Sequence, residues 1–172
     1  MKTKKIAQFT IVAVALALGL PARADTMAVP SKEKPAFTFE VPSDWKPKGD
    51  ASDESVEATA PGDKAYLSSW IVKASDEKAL TTDLEATLKD ALKSIDGEPK
   101  QHELDVNGTH HFVITGSGVD KRAGNKVKFV VGIFDAGSGN AGIVYADYDA
   151  DAPDSTMNVL DGILKSIKVV KK

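Results

Sequence analysis

The side chains best suited to chemistry in this sequence of 172 residues are His102, His110 and His111, and the aspartates of Asp147-Tyr148-Asp149-Ala150-Asp151. Asn107-Gly108 stands between two alternating segments and predicts a two-residue hairpin, because both residues tolerate positive φ. Counting outward from that turn sets Val106 opposite Thr109, Asp105 opposite His110 and Leu104 opposite His111. Adjacent residues of a strand point to opposite faces, so His110 and His111 cannot hold one ion together. Asp105 and His110 could share a proton or a metal ion, and they are the candidate surface site of the hairpin. A cross-strand ion pair between two solvated side chains accounts for them equally well without any function.

Asp147, Asp149 and Asp151 are the candidate metal ligands, since alternate carboxylates can converge on a hard cation. The likeness to a calcium loop stops at that spacing. Its sixth position is Ala152 where a glycine is needed, and its twelfth is Asn158 where a bidentate glutamate is needed. The alternative is a strand end followed by an acidic cap, with Asp151 and Asp154 near the positive end of the next helix. Gly116-Ser117-Gly118 and Gly137-Ser138-Gly139 match neither phosphate-loop nor dinucleotide spacing and read as turns. Gly-x-Ser-x-Gly and His-Glu-x-x-His are absent, so no catalytic set and no cofactor is implied.

These residues belong to a chain that reads as exported. Lys2, Lys4 and Lys5 precede an apolar stretch from Ile11 to Leu20, and Pro21-Ala22-Arg23-Ala24 supplies a small-x-small cleavage site. The apolar stretch falls short of the roughly 20 residues that span a bilayer, so residues 1–24 read as a signal peptide cut after Ala24. An uncleaved anchor is the alternative. With no cysteine anywhere, a lipid anchor at the cut, disulfides and thiolate chemistry are excluded. Removing the four basic residues of the leader leaves 18 basic against 25 acidic side chains, a formal charge of −7. That balance argues against nucleic acid and anionic membranes as partners. Arg122 is the one arginine after the leader, which also disfavours phosphate-rich ligands.

Residues 25–35, with Pro30, Pro35 and Ser31-Lys32-Glu33-Lys34, show no apolar period and read as a flexible leader to a single domain over 36–172. Phe37, Phe39 and Val41 alternate as one face of a strand. Strands are expected over 55–60 and 65–73 around the turn Pro61-Gly62-Asp63. Thr82 and Glu85 read as a capping box opening a helix whose stripe is Leu84, Leu88, Ala91, Leu92 and Ile95. Strands over 100–106 and 109–115 follow, then a glycine-rich loop over 116–124. A strand over 126–134 is apolar on both faces, hence central. A strand over 142–148 leads to a last helix capped by Asp154 or Ser155, with Met157, Leu160, Ile163, Leu164 and Ile167 on its apolar face. The fold class is therefore α+β, a mainly antiparallel sheet of six or seven strands with two helices packed on it as an α/β/α sandwich.

The opening strand with Pro42 and Trp45, the middle helix, the four-strand meander and the closing Val159-Leu160-Asp161-Gly162-Ile163-Leu164-Lys165-Ser166-Ile167-Lys168 together resemble the PsbP/Mog-like superfamily. The resemblance implies α/β/α sandwiches used as binding or assembly factors, with no shared catalytic residues to carry over. Trp45 matches the start motif and reads as an aromatic lid on the core. The expected function is a non-catalytic exported, periplasmic binding or accessory protein with a protein partner. The alternative is a weak divalent-cation-binding protein or small hydrolase using the 102–111 hairpin or the 147–154 acidic turn.

Overall fold

The structure, a computed structural model, describes residues 23–49, 55–73 and 77–170. The signal sequence lies outside the described residues except for Arg23 and Ala24, and so does Asp50 of the loop after Trp45.

The first departure from the sequence reading is at the leader, part of which is a strand. β1 (Ala24–Val29) pairs antiparallel with β2 (Phe37–Pro42), in register from Ala24 opposite Pro42 to Val29 opposite Phe37. Met27 and Val29 alternate into the core, and the Ala36 N–H donates to the Val29 carbonyl at 2.7 Å to close the connection. Only two inward apolar residues mark this strand, so the charged run after it hides the period. A short 3-10 turn (Ser43–Trp45) follows β2 and buries Trp45.

β3 (Ser55–Thr59) and β4 (Ala65–Lys73) form the expected hairpin around Pro61–Asp63. Helix α1 (Glu77–Ala91) begins ahead of Thr82, whose hydroxyl donates to the Lys78 carbonyl at 2.8 Å inside the helix and is not a cap. It also stops earlier than its stripe suggests. Leu92 and Ile95 already belong to β5 (Leu92–Val106), which pairs with β6 (Thr109–Asp120), and Ile95 is left exposed. The register slips between Asp96 and Lys100, where Gly97 takes φ 70°. The segment read as a glycine loop is strand as far as Asp120. Gly116 and Gly118 are needed there for close approach: a Cβ would stand 2.5 Å from the Phe129 ring and 2.2 Å from the Ser94 carbonyl oxygen, respectively.

β7 (Lys126–Gly137) and β8 (Asn140–Asp149) complete the meander, and α2 (Asp154–Lys165) and β9 (Lys168–Val169) end the described chain. Pro153 occupies the N-cap of α2, and no side chain caps it. Among the described residues the sheets are a six-stranded one in the order β3-β4-β8-β7-β6-β5 and a three-stranded one in the order β1-β2-β9, with β7 and β8 central in the larger.

Alternation on those central strands produces two cores. Val127, Phe129, Val131, Ile143 and Tyr145 face α1, with Leu84 and Leu88 packed on them. Phe134, Val144 and Ala146 face the small sheet and α2, together with Phe37, Phe39, Leu160 and Ile163. The molecule is an α+β sandwich with its helices on opposite faces of the large sheet. Phe37 meets Phe134 edge-on at 4.9 Å between ring centroids.

Candidate functional site

A cavity of about 350 Å³ opens between α1 and the large sheet. Strand periodicity builds its floor. Tyr66, Ser68 and Trp70 are alternate residues of β4, and Tyr145 and Asp147 are alternate residues of β8. The register sets Tyr66 against Asp147 and Ser68 against Tyr145, so these side chains share the face that α1 covers. Thr87, Asp90 and Ala91 of α1 form the opposite wall, and Arg122 enters from the turn between β6 and β7. That turn is tied to the end of the helix, since the Lys121 N–H donates to the Ala91 carbonyl at 2.9 Å and its ammonium to the Lys89 carbonyl.

A buried charge network lies against this cavity. Arg122 Nε donates to Asp120 Oδ1 at 3.2 Å, and one terminal nitrogen reaches both Asp147 oxygens at 3.3 Å. Asp120 and Asp147 are each only 3% exposed, whereas the Arg122 side chain is 55% exposed. The Tyr145 hydroxyl donates to Asp147 Oδ2 at 2.9 Å, and the Ala123 N–H to Asp120 Oδ2 at 2.7 Å. Arg122 also lies over the Tyr66 ring, 4.3 Å from its centroid. The Trp70 indole N–H is taken by Asp83 of α1 at 2.8 Å. Each wall is thus pinned before any ligand arrives.

Burial sets the protonation behaviour. It pushes the Asp147 carboxyl up to about 6, although the Tyr145 hydroxyl and the guanidinium pull the other way. Tyr66 is pushed up to about 12, by burial first and then by Glu57. Tyr145 is raised as well, by burial and by the adjacent Asp147. A carboxyl that titrates near 6 can exchange protons at neutral pH, but both of its oxygens are already engaged by Arg122 and Tyr145. The arrangement is suited to recognition by fixed groups.

The residues singled out from sequence are dispersed. Asp147 belongs to the network above. Asp149 instead accepts from Lys64 Nζ at 2.7 Å, which raises the lysine, and Asp151 is exposed beyond it. Among the described residues, no group of three or more acidic or histidine side chains is placed to hold a metal ion. His110 lies 3.3 Å from Asp105 and 3.6 Å from Glu103, with all three side chains solvated at the hairpin end. His102 is exposed on β5. His111 turns inward, is 3% exposed and stacks on Phe134 at 4.5 Å, where burial, and then His110, lower its basicity. The turn before it is functional in packing: Asn107 donates from Nδ2 to the carbonyls of Lys165 and Ile167 at 2.9 and 2.8 Å, fastening the hairpin to the end of α2.

No protein-family model matches the sequence, and no curated protein matches it. Solved structures do match. The solution structure of cyanobacterial PsbP (CyanoP) from Synechocystis is similar at TM-score 0.58 and 15% identity, over 90% of this chain and 96% of that one. The Ran-binding protein Mog1p of Saccharomyces cerevisiae is similar at TM-score 0.54 and 11% identity, over 87% and 96%. LpqN of Mycobacterium tuberculosis, involved in cell envelope biogenesis, is similar at TM-score 0.52 and 17% identity, over 86% and 92%. The fold is PsbP/Mog-like. A longer Bacteroides thetaiotaomicron structure shares it at TM-score 0.53 and 10% identity, and there this chain covers 86% of itself but only 48% of that protein.

On this PsbP/Mog-like frame, the residues that sequence reading passed over are Tyr66, Trp70, Asp120 and Tyr145. Arg122 was noticed for its rarity and not for its place. The available signal was the run of polar or aromatic residues at alternate positions, Tyr66, Ser68 and Trp70 in β4 and Tyr145 and Asp147 in β8, on a face that α1 should keep apolar. No helix among the described residues is long and apolar enough to cross a membrane.

Proposed function

We propose that this chain is an exported, non-catalytic binding or accessory protein that meets its partner at the cavity beneath α1. The observation that carries the reading is the pinning of that cavity: Arg122 held by Asp120 and Asp147, Tyr145 held by Asp147, and Trp70 held by Asp83. Tryptophan, tyrosine and arginine dominate the binding energy of protein interfaces, and rigid walls reduce the ordering cost of association. Structural neighbours named for Ran binding or for a role in envelope biogenesis support a binding or accessory use of the fold. The sequence supports export, with a mature protein beginning at Asp25.

The test is site-directed photo-crosslinking in intact cells, followed by mass spectrometry. A crosslinker at Thr87, on the cavity wall, should give discrete adducts, whereas one at Asp63, on the β3–β4 turn, should not. Equal adducts from both positions would refute the assignment of the face. Adducts arising only from a crosslinker at His110 would favour the alternative centre at the hairpin, whose support is the spacing of His110, Asp105 and Glu103. An intact mass of exported material that still includes Met1 would refute the processing step.

A further inference from the structure

We propose that the cavity beneath α1 binds an organic cation, an ammonium or guanidinium group that meets the Asp90 carboxylate and the Trp70 ring, with the surplus charge of Asp120 and Asp147 behind them. The inference rests on reading this cavity as the binding face and adds the chemistry of what enters it.

Charge decides the sign of the ligand. Among the described residues lining the cavity Arg122 is the one cation, and Asp90 and Asp147 line it with the opposite charge. The guanidinium is shared between Asp147 and Asp120, so the buried network alone retains one negative charge in excess at neutral pH. Asp90 adds a second, and among the described residues no ion pair engages it. Asp83 stands just behind Trp70. An entering anion meets this surplus, and an entering cation offsets it.

The walls favour the same class of ligand. The polar ends of Trp70 and Tyr145 are committed to Asp83 and Asp147, so these residues offer ring surface to the cavity in place of hydrogen-bond donors. Aromatic faces attract cations, and the Tyr66 ring already carries one, the Arg122 guanidinium at 4.3 Å. The volume of about 350 Å³ admits one small molecule or one side chain. The group could therefore come from a free amine or from a lysine or arginine of a partner protein.

The two indole N–H signals in heteronuclear NMR of the purified protein give a direct readout. Trp70 reports the cavity, and Trp45, in the core on the other face of the sheet, is the internal control. Agmatine and a blocked arginine peptide are titrated in parallel with acetate and inorganic phosphate. The expected result is a saturable shift of the Trp70 signal with the cations and none with the anions, with Trp45 unmoved. Asp90→Asn, at an exposed helix position, should weaken cation binding about three- to fivefold while leaving the melting temperature unchanged. Saturation by agmatine points to a free amine, and saturation by the peptide alone points to a side chain. A Trp70 signal that responds to no cation, or that responds equally to acetate or phosphate, would overturn the proposal, as would unchanged affinity in Asp90→Asn. If adducts from Thr87 persist in that event, the binding face stands without the cation. Cation binding without adducts would show the reverse.

Discussion

Arg122→Met should expose how much of the domain's stability depends on one guanidinium. The substitution keeps an unbranched chain to cover Tyr66 but leaves Asp120 and Asp147, each 3% exposed, without their cation. Breaking a buried ion pair costs about 3 to 5 kcal/mol, and water reaching the half-exposed arginine reduces that to about 2 to 3 kcal/mol. The effect should depend on pH in a defined direction. Asp147 stands at about 6 in the folded protein against 3.8 for an unperturbed carboxyl. The folded state therefore binds more protons than the unfolded state between those values, and its stability falls as pH rises through that window. That difference corresponds to roughly 3 kcal/mol, present below pH 4 and lost by about pH 6. Removing Arg122 takes away an influence that lowers the folded carboxyl, so the window extends upward from the same lower end and the penalty of the variant shrinks as pH is brought toward 5. Urea unfolding at pH 8 and pH 5 measures both points. Arg122→Met combined with Asp147→Asn should recover more than half of the loss at pH 8, because the second change removes the stranded charge. Stability of Arg122→Met within about 0.5 kcal/mol of the parent at pH 8, with the same pH dependence, would refute the reasoning.

Leu160→Ala should cost about 3 kcal/mol in denaturant unfolding and Leu88→Ala about 1 to 2 kcal/mol, because the first is buried and the second half-buried. Asn107→Ala should lower stability by about 2 kcal/mol, through the two carbonyls it leaves and its φ of 50°, and Asn107→Gly should cost less because glycine accepts that backbone. Gly118→Ala should lose more than about 2 kcal/mol, since its Cβ would stand 2.2 Å from the Ser94 carbonyl oxygen. Asp105→Ala and His110→Ala, at solvated positions, should each stay within about 0.5 kcal/mol of the parent in thermal melts.

Period and turn chemistry made most strands of the two sheets legible. The strict alternation of Phe37, Phe39 and Val41, the Asn107-Gly108 turn and the two apolar faces of β7 are local features, and each led to the right element. The errors arose where tertiary pairing overrode local preference. Leu92 and Ile95 continue the helical stripe, yet pairing with β6 draws them into a strand. Gly116 and Gly118 have turn composition, yet serve as thin places where the Phe129 ring and the Ser94 backbone come close. The cavity was the least legible part. Asp147 was read with its sequence neighbours Asp149 and Asp151, while its actual partners are a tyrosine two residues before it and an arginine on another turn. Spacing along the chain identifies groups that could act together, and strand register decides which of them meet.

The place of β2 has a consequence for the order in which the domain can form. Its two edges are filled by β1 and β9, one from each end of the described chain. Phe37 thus pairs with Val29 just before it and with Val169 near the close. Such a strand cannot gain both neighbours while the polypeptide is still emerging, and contacts so distant in sequence are slow to form. The core around Phe37, Phe39 and Ile163 therefore stays incomplete until β9 arrives, a delay that would serve the proposed export.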